Sequence, residues 1–278
     1  MKITEKMKTE FRNSLILDER SQATIEKYVR DVERFHAFTA EREITKELVI
    51  EYKLHLMSMY TPASVNSMLA PVNRFLKENG KHDLVVRAIK IQNQSFRPKE
   101  KELSKNEYFR LLEAALYENN QRLYLLMQTI CSTGIRVSEL PCITVDAVKT
   151  GKALVSLKGK TRMVLLPESL VRSLGKYAEQ NNISSGSIFV TRSGKPMDRS
   201  NILHEMKKLC SAADVAESKV YPHNLRHLFA CSYYEAEKDI SRLADILGHS
   251  NINTTRIYTS TSIDKQQIKI EQLGLAVS

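Results

Sequence analysis

The sequence predicts a mainly α-helical protein with one small β-hairpin, an α+β arrangement carried in two parts. Three observations predict it. Apolar residues recur at three- and four-residue intervals through residues 1–94, the spacing of buried helix faces. A charged, proline-bearing stretch without any period follows. Beyond it the helical spacing gives way once, over residues 153–166, to the two-residue alternation of strands.

In the first part, Ile25, Tyr28, Val29, Val32, Phe35 and Phe38 mark one buried helix face. Thr61 followed by Pro62 supplies an N-cap oxygen and a first-turn proline. They open a helix carrying Val65, Leu69, Val72 and Leu76 that stops near Gly80. Four or five such helices make a bundle over 1–94. Residues 95–102, which include Arg97-Pro98-Lys99-Glu100, read as a linker. Ser104 and Glu107 form a capping-box pattern that opens a second domain, 103–278.

Two helical segments begin that domain, the second running from Arg122 to Ser132 with Gly134 marking its end. Ala153–Leu157 and Arg162–Leu166 then flank Lys158-Gly159-Lys160-Thr161 as a β-hairpin, and Ile188-Phe189-Val190 suggests one more short strand before a turn at 192–196. From Asp198 the pattern is helical again, with Ile202, Met206 and Leu209 on one side. Asp239 caps a helix bearing Ile240, Leu243, Ala244 and Leu247, which Gly248 terminates.

The formal charge is +10 over 278 residues and the pI is near 9.3, values that favour a polyanionic partner. Cys131, Cys142, Cys210 and Cys231 lie far apart with no CxxC pair, as expected of reduced thiols in a cytoplasmic protein. No apolar run approaches a membrane span, and the start, Met1–Lys6, lacks a signal-peptide stretch.

Three segments carry chemistry together: Thr133-Gly134-Ile135-Arg136-Val137-Ser138-Glu139-Leu140, His223-Asn224-Leu225-Arg226-His227, and Leu247-Gly248-His249 followed by Tyr258. Arginine forks suit phosphate oxygens, and Arg136 falls at an expected helix start whose N–H groups also favour an anion. Arg226 and His223 are three residues apart and share a helix face. Tyr258 suits a nucleophile attacking a phosphodiester. Reaching its phenolate at neutral pH costs about 4 kcal/mol, so a proton acceptor is required. His223 is assigned that task and His249 a phosphate hydrogen bond, with the reverse left open. The departing sugar oxygen needs an acid, for which Lys158 leads and Lys160 is the rival. There is no GxxxxGK[ST] loop, no Gly-x-Ser-x-Gly elbow and no acidic cluster resembling a two-metal site, so neither a metal nor a cofactor is expected.

These residues resemble the tyrosine recombinase (phage integrase) family, closely over 103–260 and more loosely over 10–90, which would be its core-DNA-binding domain. The resemblance implies a C-shaped clamp around double-stranded DNA, a 3′-phosphotyrosyl link at Tyr258 and a Holliday-junction intermediate, without metal or ATP. It gives Arg136, Arg226, His223, His249 and Lys158 the family's catalytic roles. Glu139 would orient Arg136, and His227 would support the helix. A homotetramer on two duplexes is implied, monomeric or dimeric off DNA, in an Xer-like or mobile-element architecture without an arm-binding domain. The hairpin loop is tighter than the family's usual form, which leaves Lys158 and Lys160 both open. The tail over 262–278, with Ile263, Ile268, Ile270, Leu273, Leu275 and Val277, would exchange between neighbouring subunits. A type IB-like nicking-rejoining enzyme keeps the chemistry but not the partner exchange. A catalytically silent DNA-binding regulator of the same fold is the third reading, disfavoured by the intact Arg, His and Tyr set.

Overall fold

The computed structural model describes residues 2–40, 42–91, 101–157, 160–258 and 271–273. They fall in two compact units, residues 1–93 and 94–278. The first holds α1 (Glu5–Leu17), α2 (Gln22–Thr39), α3 (Lys46–Met59) and α4 (Pro62–Glu78), then one 3₁₀ turn at His82–Leu84. Thr4, Thr45 and Thr61 each cap a helix through the side-chain oxygen, satisfying N–H groups that the first turn leaves open. Phe35, Tyr52, Leu69, Phe75 and Leu76 fill the centre, all fully buried. The segment leaving this bundle is pinned by two asparagines. Asn73 exchanges bonds of 2.8 and 3.0 Å with the Val86 backbone, and Asn66 does the same at Ile89 with 2.9 and 2.8 Å. Each amide thus imitates a neighbouring strand.

The second unit begins with α5 (Lys105–Tyr117), where the Ser104–Glu107 capping box is complete, and α6 (Gln121–Thr133). A 3₁₀ turn (Val137–Cys142) and α7 (Val145–Thr150) lead into β1 (Lys152–Leu157) and β2 (Lys160–Leu165). Then come α8 (Glu168–Gln180), α9 (Arg199–Lys208), α10 (Pro222–Glu237), α11 (Ile240–Leu247), the four-residue α12 (Ile252–Thr255) and a 3₁₀ turn at Arg256–Tyr258. Helix α6 buries Leu123, Leu125, Leu126, Met127 and Ile130, an apolar surface on nearly every side, so it lies at the centre with α10 against it.

The strands pair antiparallel from Lys152↔Leu165 to Leu157↔Lys160, so Thr161 belongs to β2 and the connection is shorter than the four residues expected. Ile188-Phe189-Val190 does not form the further strand. Single bridges link Thr144 with Ser187 and Val190 with Pro196, and Pro196 has no N–H with which to extend a ladder. Ile188 and Phe189 are instead fully buried core residues, which explains their apolar run. Of the linker, Lys101 and Glu102 are described, and both touch α10: Asn224 donates to the Lys101 carbonyl at 2.9 Å, and Glu102 meets His227. Leu273 is exposed; the other apolar tail positions lie outside the described residues.

Candidate active site

The site grows from the end of α6. Gly134 closes that helix at φ +64°, and a Cβ there would come within 2.4 Å of the Phe229 ring. Glycine is required both for the turn and for the close approach of α10. Its carbonyl accepts a hydrogen bond from Nη1 of Arg226. Two residues on, Arg136 caps the 3₁₀ turn, whose N–H groups were expected to face an outside anion. The turn supplies its own. Glu139, 2% exposed, accepts from the Arg136 backbone N–H at 2.8 Å and from its Nη1 at 2.9 Å. Arg162 Nη2 donates to the same carboxylate at 2.6 Å. One buried carboxylate thus orients two guanidiniums and leaves net positive charge beside it.

Pro222 starts α10, which presents His223, Arg226 and His227. His223 is exposed in the first turn, whereas Arg226 and His227 are buried, at 2% and 3%. Arg226 donates through Nη2 to the Leu247 carbonyl at 2.7 Å and lies 3.1 Å from His249 Nε2. Burial, and next the charge of Arg136, bring its pKa down to about 10.

Arginine can only donate, so His249 Nε2 must accept. The ring proton then sits on Nδ1 and is donated to Thr255 Oγ1, 2.9 Å away. His249 is therefore a neutral, oriented imidazole. Burial lowers its pKa to about 4, with Arg226, Arg136, Arg162 and His223 adding to the effect in that order. Gly248, which ends α11 at φ +64°, gives its carbonyl to Arg136 Nη2 at 3.2 Å.

Tyr258 ends the last 3₁₀ turn and is 3% exposed, clustered with Ala230, Leu243 and Leu247. Its ring is stacked at 14° on that of His249, with centroids 6.1 Å apart, and lies 5.1 Å from the His227 ring. A charge on this phenol would favour the charged form of Arg226. His227 is 3.3 Å from Glu102 and 3.4 Å from Cys231 Sγ, so its neighbours are structural partners of α10.

Among the sequence-predicted residues, Arg136, Glu139, Arg226, His249 and Tyr258 are brought together, with His227 beneath the tyrosine. His223 stands at the edge, near enough to depress His249. Lys158 lies outside the described residues, as does the side chain of Lys160, whose backbone pairs with Leu157 in the hairpin. Sequence reasoning missed Arg162, Thr255 and Glu102. Arg162 had a legible signal: it lies two residues before buried Val164, on the inward face of a strand. Among the described residues no group of three His, Cys, Asp or Glu could hold a metal ion, and no helix is long and apolar enough to cross a membrane.

The phage integrase family model matches residues 101–264. Over 263 residues the chain is 27% identical to the tyrosine recombinase XerA of Thermococcus kodakarensis, covering 92% of this chain and 90% of the relative. It is 29% identical over 255 residues to tyrosine recombinase XerH of Campylobacter jejuni, covering 84% and 72% respectively. In fold it is similar to a lambda integrase tetramer bound to a Holliday junction, with TM-score 0.75 and 17% identity over 93% of this chain and 78% of that one. The family match takes in more than half of the sequence and all of the clustered residues; this chain belongs to the phage integrase family, the tyrosine recombinases.

Proposed function

We propose that this protein is a site-specific DNA recombinase that cleaves and rejoins strands through a 3′-phosphotyrosyl intermediate. The observation that carries the reading is the contact chain from Arg136 to the Gly248 carbonyl, through the adjacent His249 to Arg226, and from His249 to Tyr258, which joins two cations, an oriented imidazole and a phenol in one cluster. Arg136 and Arg226 hold the non-bridging oxygens of the scissile phosphate, where charge grows as the phosphorus becomes five-coordinate. Arg226 currently donates to two carbonyls and His249, so an arriving phosphate competes for donors that are already aimed. Tyr258 attacks, His223 takes its proton with ready exchange to solvent, and Lys158 protonates the leaving 5′ oxygen. For His249 to donate to phosphate, its proton must move from Nδ1 to Nε2. Tyr258 is 3% exposed, so attack on a phosphate requires the Arg256–Tyr258 turn to bring the phenol out.

No step requires a metal or ATP, since the phosphotyrosyl bond conserves the energy for rejoining. The 5′ hydroxyl then attacks a partner duplex. The fold shared with the lambda integrase tetramer on a Holliday junction supports a homotetramer on two duplexes. The sequence-based division into a core-binding domain over 1–94, a linker over 95–102 and a catalytic domain over 103–278 is part of this reading.

The test is a nicked suicide duplex built from DNA flanking the gene. The parent protein gives a covalent adduct whose nucleotide-bearing peptide contains Tyr258, and Tyr258→Phe binds the duplex without forming any. Adduct on another side chain, or its dependence on added metal, refutes the reading. Relaxation of supercoils without exchange between duplexes selects the nicking-rejoining alternative.

A further inference from the structure

We propose that Arg162 is a positioning residue for strand cleavage: it holds both anchors of Arg136 and ties them to the β-hairpin. The inference rests on the recombinase reading above. Arg136 is fixed at two points, Glu139 Oε1 at 2.9 Å and the Gly248 carbonyl at 3.2 Å. Arg162 reaches both. Its Nη2 donates to the other oxygen of Glu139 at 2.6 Å, and its Nη1 donates to the Ile246 carbonyl at 2.9 Å, two residues before Gly248. Its Cδ and Nε lie directly beneath Gly248, where a Cβ would approach them to 2.5 and 2.7 Å.

The side chain is 14% exposed and enters from the inward face of β2, across from buried Val155. Its Nε is buried and finds no acceptor. A buried donor left unmatched calls for an explanation, and here the two Nη donors fix the guanidinium where Nε has none. Burial and the nearby charge of Arg136 oppose the cation, while Glu139 favours it, and the net effect lowers its pKa. Lysine cannot substitute fully, because a single ammonium does not span a carboxylate and a carbonyl as a planar fork does.

Without Arg162, Glu139 keeps one guanidinium partner and the Gly248 turn loses its floor. Arg136 then loses its fixed aim, although the phosphate it serves never touches Arg162. Lys158 precedes Arg162 by four residues along the hairpin, so the same latch fixes the strand that follows the candidate acid.

The experiment compares the parent, Arg162→Met and Arg162→Lys in single-turnover cleavage on the suicide duplex, with a charged or a methylphosphonate scissile group. Displacing a catalytic cation by about an ångström slows the charged reaction by about 100-fold, with Arg162→Lys intermediate. DNA affinity stays within about threefold, because these groups act on the transition state. The uncharged phosphonate needs the cation less, so the defect shrinks there by about tenfold or more. Cleavage by folded Arg162→Met within about threefold of the parent overturns the proposal, as does an equal defect on both substrates. Should Arg162→Met fail to fold, Arg162→Lys carries the same two criteria. Formation of the Tyr258 adduct by the parent keeps the recombinase reading intact in either case; its absence overturns both.

Discussion

Both units bury aromatic rings, Phe11, Phe35, Tyr52 and Phe75 in residues 1–93 and Tyr108, Tyr177, Phe189 and Tyr258 in the second, but the second also buries a carboxylate, a guanidinium and an imidazole: Glu139, Arg226 and His227. In the first unit Phe11 and Phe75 meet edge to face at 5.5 Å, and a buried charge is the exception: Asp31, held by Lys27 at 2.7 Å. In the second, charged groups are fixed against one another and against main-chain oxygens. The contrast teaches where each unit should be sensitive. An apolar bundle responds to lost volume, and a polar cluster responds to lost charge and to pH.

The largest effect that could break this contrast is in the bundle. Phe35→Ala should destabilise by about 3–5 kcal/mol through a cavity at a fully buried position, read from urea unfolding. The difference from the parent should be nearly independent of pH between about 5 and 8, since no titrating group is removed and both proteins keep the same pH slope. A small cost would mean the bundle is loosely packed.

Next, Glu139→Gln keeps the shape and removes the charge that two arginines share, for a loss of about 2–3 kcal/mol. Unlike Phe35→Ala, it should also weaken adduct formation on the suicide duplex. Unchanged stability would show that the carboxylate does not bind the cluster together.

The smallest effect sharpens the contrast through pH. Burial and four neighbouring cations or imidazoles lower His249 from 6.5 to about 4. Below pH 6.5 the unfolded chain takes up a proton that the folded one refuses until about pH 4, so stability falls as pH drops through that window. His249→Gln should flatten that part of the slope in urea midpoints taken from neutral pH downward. A slope identical to the parent's would remove His249 as its source.

Much of this was legible because it is local. The Thr61 cap, the Ser104–Glu107 box and the glycines ending α6 and α11 each declare themselves within four or five residues. Ile25, Val32 and Phe35 follow one helix face and are buried as expected, while Tyr28, Val29 and Phe38 pack at its margin. The clustering of Arg136, Arg226, His249 and Tyr258 followed from motif order. What stayed hidden depends on distant partners. Glu102 lies 125 residues from His227, and Arg162 lies 84 from Ile246. The register with Val164 turns Arg162 inward, but nothing near it in sequence names the carboxylate and carbonyl that it meets. The 188–190 run misled because its apolar pattern reflects core burial, while its pairing stops at isolated bridges and single backbone bonds.

Arg226, Arg136 and Arg162 all lean on peptide oxygens, those of Gly134, Leu247, Gly248 and Ile246. Every residue type carries that oxygen, so no exchange of one side chain for another deletes these acceptors; only bending the chain can. Two of the four belong to glycines in the left-handed region, where a Cβ would collide with Phe229 or Arg162. A substitution at either glycine must therefore bend the chain and displace its acceptor, whereas most other exchanges leave these oxygens in place.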